Sequence, residues 1–369
     1  MKKLLLLLSL MLSAITTWAT PQGYAELAVN NGKAWGASDA RYTLTFRYGE
    51  MPSNTATAHY YDAENTPRIT NMTDYHDVED WQVFGDIWFQ RTPDTVNAGK
   101  HLPLYYITHA VFEPSFANAR PKSTAFWFFT GNCDLWTAQV SELISIEGLE
   151  YLNTSEVTHM EMMFGGCNRL TSIDVSHFDT SKVTDMTNMF IGCQVCRSLD
   201  VSNWDTSNVT TMSAMFFACQ RLASVDVSNW DVSNVEDMYA MFNECRKLES
   251  IDVSNWNTSK VEDMHGIFSN CQSLTSLDVS NLDLSGITNN SSCITWYNLP
   301  ALQTLTVGDV SECAFWLGRG KSFPGLQNLT FTDATSFLAN RAIAETFLNN
   351  LKTASPNVQI VLDCELTPA

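Results

Sequence analysis

The chain has 369 residues, of which 45% are hydrophobic and 17% charged, a composition that excludes intrinsic disorder and allows one to three domains with sizeable cores. Its 40 acidic and 21 basic residues give a formal net charge of −19. A chain this acidic repels phosphate groups, which argues against nucleic acid as a partner and disfavours anionic lipid headgroups.

The N-terminus has the pattern of an export signal. Lys2 and Lys3 precede an apolar run over residues 4–12, and a small residue follows at Ala19. This pattern predicts a signal peptide over residues 1–19, cut after Ala19, with retention as a membrane anchor as the alternative. The first cysteine is Cys133, so no lipid attachment is expected at the cut. No later apolar stretch has the length of a transmembrane helix, and we expect a secreted or surface-exposed protein.

Two segments precede the regular part of the chain. Residues 42–46 alternate between large apolar residues and threonine, as a half-buried strand does, within a segment otherwise rich in proline and polar residues. We interpret residues 20–105 as a small β-rich N-terminal cap. Residues 106–146 are interpreted as degenerate opening repeats, because Phe129 and Cys133 repeat a later spacing imperfectly.

Residues 147–285 consist of a 26-residue repeat. Cysteine, aspartate and valine each recur five times at that spacing: Cys167, Cys193, Cys219, Cys245 and Cys271; Asp174, Asp200, Asp226, Asp252 and Asp278; Val157, Val183, Val209, Val235 and Val261. A fixed period in this range indicates units that bury their apolar faces against their neighbours.

One unit shows the expected local structure. Leu222, Val225 and Val227 have the spacing of a leucine-rich-repeat strand with its apolar side chains inward. Trp230 then falls at a register that is apolar in every copy, which favours a core position over an exposed stacking platform.

The second half of the unit has the spacing of a short helix. Met238, Met241, Phe242 and Cys245 lie at i, i+3, i+4 and i+7, which is one face of an α-helix. Parallel strands stack about 4.8 Å apart and helices about 8–10 Å apart, so the strand flank should be the shorter. The sequence therefore predicts an α/β repeat solenoid, a leucine-rich-repeat-like curved array with a parallel β-sheet on the concave side and short helices on the convex side.

Residues 286–369 are interpreted as divergent leucine-rich repeats and a C-terminal cap. Residues 300–307 and 324–331 have similar strand patterns, 24 residues apart. A helix over about residues 340–353 and a last strand over residues 358–362 would close the array.

The repeat resembles the BspA-type leucine-rich-repeat surface proteins of bacteria. The resemblance rests on residues 199–209, followed by Met212, Met215, Phe216 and Cys219, and it covers residues 147–285 closely. Residues 42–48 and 111–129 also look like the N-terminal part of that family. The resemblance implies a surface location and a role in adhesion or host interaction. It implies no catalytic activity and no functional residues.

The aspartate row is the first candidate binding site. Asp174, Asp200, Asp226, Asp252 and Asp278 are each flanked by serines two residues away on both sides. Carboxylates stacked at strand spacing repel, so something must bond to them or screen them. Serine hydroxyls and water can do so, Ca²⁺ on the row is a lesser alternative, and a repetitive or basic ligand is a third.

The second candidate site is the set of positions that differ between copies. Tyr239 and His265 vary within the predicted helix, and Arg246 and Lys247 follow the repeated cysteine. A binder that discriminates between ligands usually varies its contact residues. We therefore expect selective contacts on this face more than on the uniform aspartate row.

Other chemistry is weakly indicated. The repeated cysteines end an apolar stripe and are expected to be buried thiols, with Cys196 as a further core residue. A disulfide among Cys133, Cys293, Cys313 and Cys364 stays open. No catalytic or metal-ligand motif is present, so we expect no enzyme and no cofactor. The predicted function is binding of an extracellular protein or cell-surface macromolecule; a structural spacer, or a carbohydrate-binding module in the N-terminal region, is the alternative.

Overall fold

The computed structural model describes residues 22–30, 33, 41–50, 58–62, 107–125, 128, 142–283, 285–287, 297–308, 323–332 and 341–362. The predicted signal peptide lies outside the described residues. So do Cys133, Cys293, Cys313 and Cys364.

The N-terminal part forms a mixed five-stranded sheet. Its strands are β1 (Gln22–Val29), β2 (Tyr42–Gly49), β3 (Ala58–Asp62), β4 (Ile107–Phe112) and β5 (Ser145–Glu147), in the order β3-β1-β2-β4-β5. Strand β1 pairs antiparallel with β2 and β3, whereas β2, β4 and β5 run parallel. Two short 3-10 helices follow β4 and β5, at Pro114–Asn118 and Leu149–Tyr151. The strand predicted over residues 42–46 is confirmed, with Tyr42, Leu44 and Phe46 buried.

The C-terminal part forms a parallel four-stranded sheet. Its strands are β6 (Ser276–Val279), β7 (Thr304–Val307), β8 (Asn328–Phe331) and β9 (Gln359–Leu362), paired in chain order. Helix α1 (Arg341–Ala354) lies between β8 and β9. The strands predicted within 300–307, 324–331 and 358–362 and the helix predicted over 340–353 are confirmed. Among the described residues, no helix is long and apolar enough to cross a bilayer.

Between the two sheets, the 26-residue copies stack through backbone hydrogen bonds. We number them 1 to 5 by their cysteines, Cys167, Cys193, Cys219, Cys245 and Cys271. Thr210 N–H donates to the Thr184 carbonyl at 2.9 Å, and Glu236 N–H donates to the Thr210 carbonyl at 2.8 Å. On another part of the copy, Glu249 N–H donates to the Ala223 carbonyl at 3.1 Å. Each copy therefore bonds to its sequence neighbour in one register.

The predicted helix of each copy is a ladder of turns instead. The N–H groups of Met212, Ala214, Phe216 and Ala218 donate to carbonyls of the next copy, 25 residues on, at 2.6–2.9 Å. Of the N–H groups in between, those of Met215 and Phe217 donate to carbonyls three residues back, and that of Ser213 donates to the Thr211 hydroxyl. An α-helix would use all of them at i−4.

Left-handed backbone explains why no helix forms there. Two residues of each copy, four apart, have positive φ angles between 49° and 76°: Met162 and Gly166, Asn188 and Gly192, Ala214 and Ala218, Ala240 and Glu244, Gly266 and Asn270. Helical residues need φ near −63°, and each left-handed residue turns the next N–H out of the helical pattern.

The predicted α/β repeat solenoid with helices on its convex side is therefore wrong. The chain is sheet-rich, with one mixed and one parallel sheet, and α1 is the only α-helix among the described residues. The curvature was predicted from unequal spacing of strands and helices. Because copies bond directly to one another along the predicted helix flank, that unequal spacing does not exist.

The inward faces were nevertheless predicted correctly. Met212, Phe216, Cys219 and Trp230 are buried, and residues 224–228 alternate in burial as expected of the strand pattern. Phenylalanine rings of consecutive copies stack with centroids 5.4–5.8 Å apart in one column: Phe128, Phe164, Phe190, Phe216, Phe242 and Phe268.

Buried polar side chains also bond between copies. Trp230 Nε1 donates to the Val201 carbonyl at 3.0 Å, and Cys219 Sγ donates to the Phe190 carbonyl at 3.2 Å. The repeated thiols and that of Cys196 are free and buried, and burial raises their pKa values. The prediction of buried thiols is confirmed for these residues.

A pair of substitutions in one column distinguishes the turn ladder from a helix. Gly192 and Ala218 both have left-handed φ, and a Cβ on Gly192 would meet nothing closer than 3.7 Å. We expect Gly192→Ala to lower the free energy of unfolding by about 1 kcal/mol and Ala218→Gly to raise it by about 0.5 kcal/mol. A helix would give the opposite signs, because alanine is the better helix former. Urea unfolding of both variants measures this.

The buried thiols should resist alkylation in the folded protein. We expect iodoacetamide at pH 8 to leave six cysteines unmodified until denaturant is added, because burial raises their pKa values and excludes the reagent: Cys167, Cys193, Cys196, Cys219, Cys245 and Cys271. Peptide mass spectrometry identifies the modified positions. Rapid labelling of any of them in the native chain would contradict the packing.

Candidate functional site

The predicted aspartate row is exposed and caps the turns of its own copies. Oδ1 of Asp200 accepts the Ser202 hydroxyl at 2.7 Å and the Ser202 N–H at 3.3 Å. The corresponding serine N–H bonds are made by the four other members: Asp174, Asp226, Asp252 and Asp278. The serine that follows each aspartate by two residues therefore bonds to the carboxylate, which is a local stabilising role.

These bonds favour the ionised carboxylate. The Ser228 hydroxyl, and then its N–H, lower the pKa of Asp226, although the neighbouring Asp252 opposes this shift. The pKa values of Asp174 and Asp252 are lowered in the same way. Within the described residues, no three His, Cys, Asp or Glu side chains form a group that could hold a metal ion. Binding of a ligand to the row stays a prediction.

A second row of turn caps was not recognised in the sequence. Asp179, Asp205 and Asp231 accept the N–H of the serine two residues later, at 3.0–3.1 Å. Beside this row, Thr206 Oγ1 donates to the Asp231 carbonyl of the next copy at 2.9 Å. The signal in the sequence is a serine two residues after each of these aspartates, with threonine between them in the first two copies of the row and Val232 in the third.

The structure brings together two of the predicted variable residues. Tyr239 and His265 occupy the same position in copies 4 and 5, and their rings stack with centroids 5.8 Å apart and an interplanar angle of 9°. Tyr239 is 45% exposed and His265 is half-buried. The same column contains Thr187 in copy 2 and Ser213 in copy 3.

The other two predicted residues are placed differently. Arg246 Nε forms an ion pair with Glu244 Oε2 at 2.7 Å, so its charge is engaged within its own copy. Lys247 is exposed beside it.

A further acidic column lies next to the stacked rings, and sequence reasoning missed it. Asp185, Thr211, Asp237 and Asp263 are joined by parallel bridges between successive copies. Asp237 Oδ1 accepts the Tyr239 N–H at 2.8 Å, and Asp263 Oδ1 accepts the His265 N–H at 2.7 Å. The carboxylates therefore fix the backbone that carries the two rings.

The environment of Asp237 disfavours its charge. Burial is the main cause of its raised pKa, and the negative charges of Asp263 and Asp185 add to the effect. The Tyr239 N–H and the Ser213 side chain oppose the shift through hydrogen bonds. A cation brought to this column would relieve that repulsion.

Several sequence candidates fall outside the described residues. They are five aromatic residues on which a carbohydrate-binding module in the N-terminal region could stack sugar rings: Trp81, Trp88, Phe89, Trp127 and Trp136.

The two kinds of aspartate should respond oppositely to neutralisation. The folded-state pKa of Asp226 is lowered, so its negative charge stabilises the fold at pH values above the unfolded pKa. The folded-state pKa of Asp237 is raised, so its negative charge destabilises the fold at neutral pH. At pH 7 we expect Asp226→Asn to lower and Asp237→Asn to raise the urea midpoint. The change in urea midpoint caused by Asp226→Asn should disappear as the pH falls through the lowered pKa of Asp226 in the folded protein. The change caused by Asp237→Asn should disappear below about pH 4, where this aspartate is protonated in both the folded and the unfolded protein.

Each asparagine can still accept the turn N–H through its amide oxygen, so both variants remove one negative charge and keep that bond. Equal shifts of the two midpoints at pH 7 would contradict the assigned environments.

Comparison with known families gives one similarity. Residues 140–199 and 191–299 match the family DUF285, described as a Mycoplasma protein of unknown function. No curated protein matches the chain. The matched segments contain all five copies, the aspartate row and the acidic column beside the stacked rings, so the chain is similar over this region to a family of unknown function.

Proposed function

We propose that the chain is an exported, non-enzymatic surface protein that binds an extracellular protein or another cell's surface through the variable column of its stacked copies. We define the variable column as Thr187, Ser213, Tyr239 and His265. The observation that carries the proposal is that these side chains differ from copy to copy on a backbone that hardly differs.

The repeated side chains have internal roles that leave little for recognition. Methionine, phenylalanine and cysteine fill the core of every copy, and the aspartate row bonds to the serines of its own turns. Uniform residues are thus explained by folding. Residues that vary without changing the fold are the ones available to select a partner.

The sequence supports the location. The basic and apolar start followed by Ala19 is typical of an exported chain, and the resemblance of residues 147–285 to BspA-type surface proteins suggests adhesion. Display of many copies on one surface would convert weak single contacts into stable attachment.

Capture of extracellular proteins tests this function. The mature chain is immobilised, exposed to an extracellular protein mixture with and without a calcium chelator, and bound proteins are quantified by mass spectrometry. We expect Thr187, Tyr239 and His265 replaced together by serine, the residue of copy 3, to lower specific capture about tenfold, because few residues dominate binding. Replacing Asp200, Asp226 and Asp252 by asparagine is the matched control and should preserve capture.

The alternatives give different outcomes. Loss of capture only in the aspartate variant, or only with chelator, would contradict the proposal and favour the aspartate row. No specific capture by the wild-type chain would favour a structural spacer. Binding that resides in residues 20–140 and is seen on a glycan array would favour the carbohydrate module.

A further inference from the structure

One face of the stacked ring pair has a second ring against it, and the residue next in line on the other face is small. His265 covers one face of Tyr239, since the two rings are parallel and lie in successive copies. The corresponding residue of copy 3, which precedes Tyr239 in the stack, is Ser213, whose side chain is far smaller than a ring. Tyr239 is also 45% exposed, which is unusual among the large apolar side chains of these copies.

Carboxylates stand on both sides of this opening. The acidic column contains Asp185 in copy 2 and Asp237 in copy 4, with the uncharged Thr211 between them in copy 3. At about 4.8 Å per copy, the two aspartates are roughly 10 Å apart along the stack. Repulsion by Asp185 is one of the causes that raise the pKa of Asp237. A cation placed at copy 3 would therefore lie between two negative charges and against an aromatic ring.

Two basic side chains of the stacked copies are engaged by other residues, whereas Lys247 is exposed. Lys260 Nζ donates to Asn234 Oδ1 at 2.7 Å, and Arg246 pairs with Glu244. The next column adds two exposed carboxylates, Glu236 and Glu262, whose backbones are bonded to each other at 2.8 Å. A cationic side chain of a partner would complement the charge of this surface.

We propose that the opening, which we call the Tyr239 notch (Asp185, Thr211, Ser213, Asp237 and Tyr239), binds an arginine side chain of the partner protein. The planar guanidinium stacks on the Tyr239 ring and donates hydrogen bonds to the flanking carboxylates and to the Ser213 and Thr211 hydroxyls. This inference rests on the proposed function and names the chemistry of its partner.

Arginine fits the notch better than lysine does. A guanidinium presents donors around a flat, weakly hydrated plane, so it can stack on a ring and bond sideways to carboxylates at the same time. An ammonium group is a compact, strongly hydrated point charge, so its binding free energy comes mainly from general attraction to the acidic chain and little from the Tyr239 ring.

Binding of defined peptides tests the notch. The probes are fluorescein-labelled peptides of alternating glycine and arginine with four arginines, and the same peptide with four lysines. Fluorescence anisotropy with the full mature chain at fixed salt should show about tenfold tighter binding of the arginine peptide. Tyr239→Ser should remove that preference, because it restores the residue found in copy 3 and deletes the stacking surface.

A charge-matched pair of variants separates the notch from general attraction to an acidic chain. Asp237→Asn and Asp226→Asn each remove one negative charge and keep an oxygen for the turn N–H. We expect Asp237→Asn to weaken arginine-peptide binding five- to tenfold and Asp226→Asn to change it less than twofold. Equal binding of both peptides, or equal effects of both variants, would overturn the notch.

The outcome is distinguishable from failure of the proposed function. If the peptides reveal no arginine preference while the variable-column variant still loses captured protein, the notch is wrong and the proposed function stands. If the notch binds arginine but the variable-column variant captures as much extracellular protein as the wild type, the proposed function is wrong.

Discussion

The backbone hydrogen bond between equivalent positions of successive copies is the constraint on which the rest depends. It recurs near Thr210, near Ala223 and along the segment from Met212 to Ala218, so several parts of each copy are held at one spacing. A fixed spacing forces like side chains into columns. Rings then stack on rings, and Trp230 and the repeated Cys219 each donate a side-chain hydrogen bond to a carbonyl in the copy before.

Side chains in such a stack divide into two groups. Those that fill the core or cap a turn must be nearly the same in every copy, because each meets the same neighbours. In the variable column Tyr239 is exposed, Ser213 and His265 are half-buried and Thr187 is buried, and these positions change without disturbing the ladder. The stacked rings of Tyr239 and His265 show that even large aromatic residues are accommodated there. A uniform scaffold can thus present a non-uniform surface.

Much of this organisation could be predicted from the sequence, and the errors have identifiable causes. The 26-residue period, the inward residues, the buried thiols, the C-terminal strands and α1 follow from spacing and polarity. The helix prediction was wrong because six of the eight residues 238–245 are buried, including positions between those of the i, i+3, i+4 pattern, so that pattern does not identify a helical period. Gly166, Gly192 and Asn270, each directly before the repeated cysteine, were the overlooked left-handed signal. The Asp237 column was missed because His159 and Thr211 interrupt it.

The register of the inter-copy bonds has a consequence for how chains of this kind can change in length. Because each copy bonds to the copies before and after it, removing or duplicating one whole 26-residue unit keeps the backbone register and the core columns at the new junction. A gain or loss of any other small number of residues within the stack would shift all later columns and place polar side chains in the aromatic core. Copy number is thus free to drift in a gene of this type while the unit length is not.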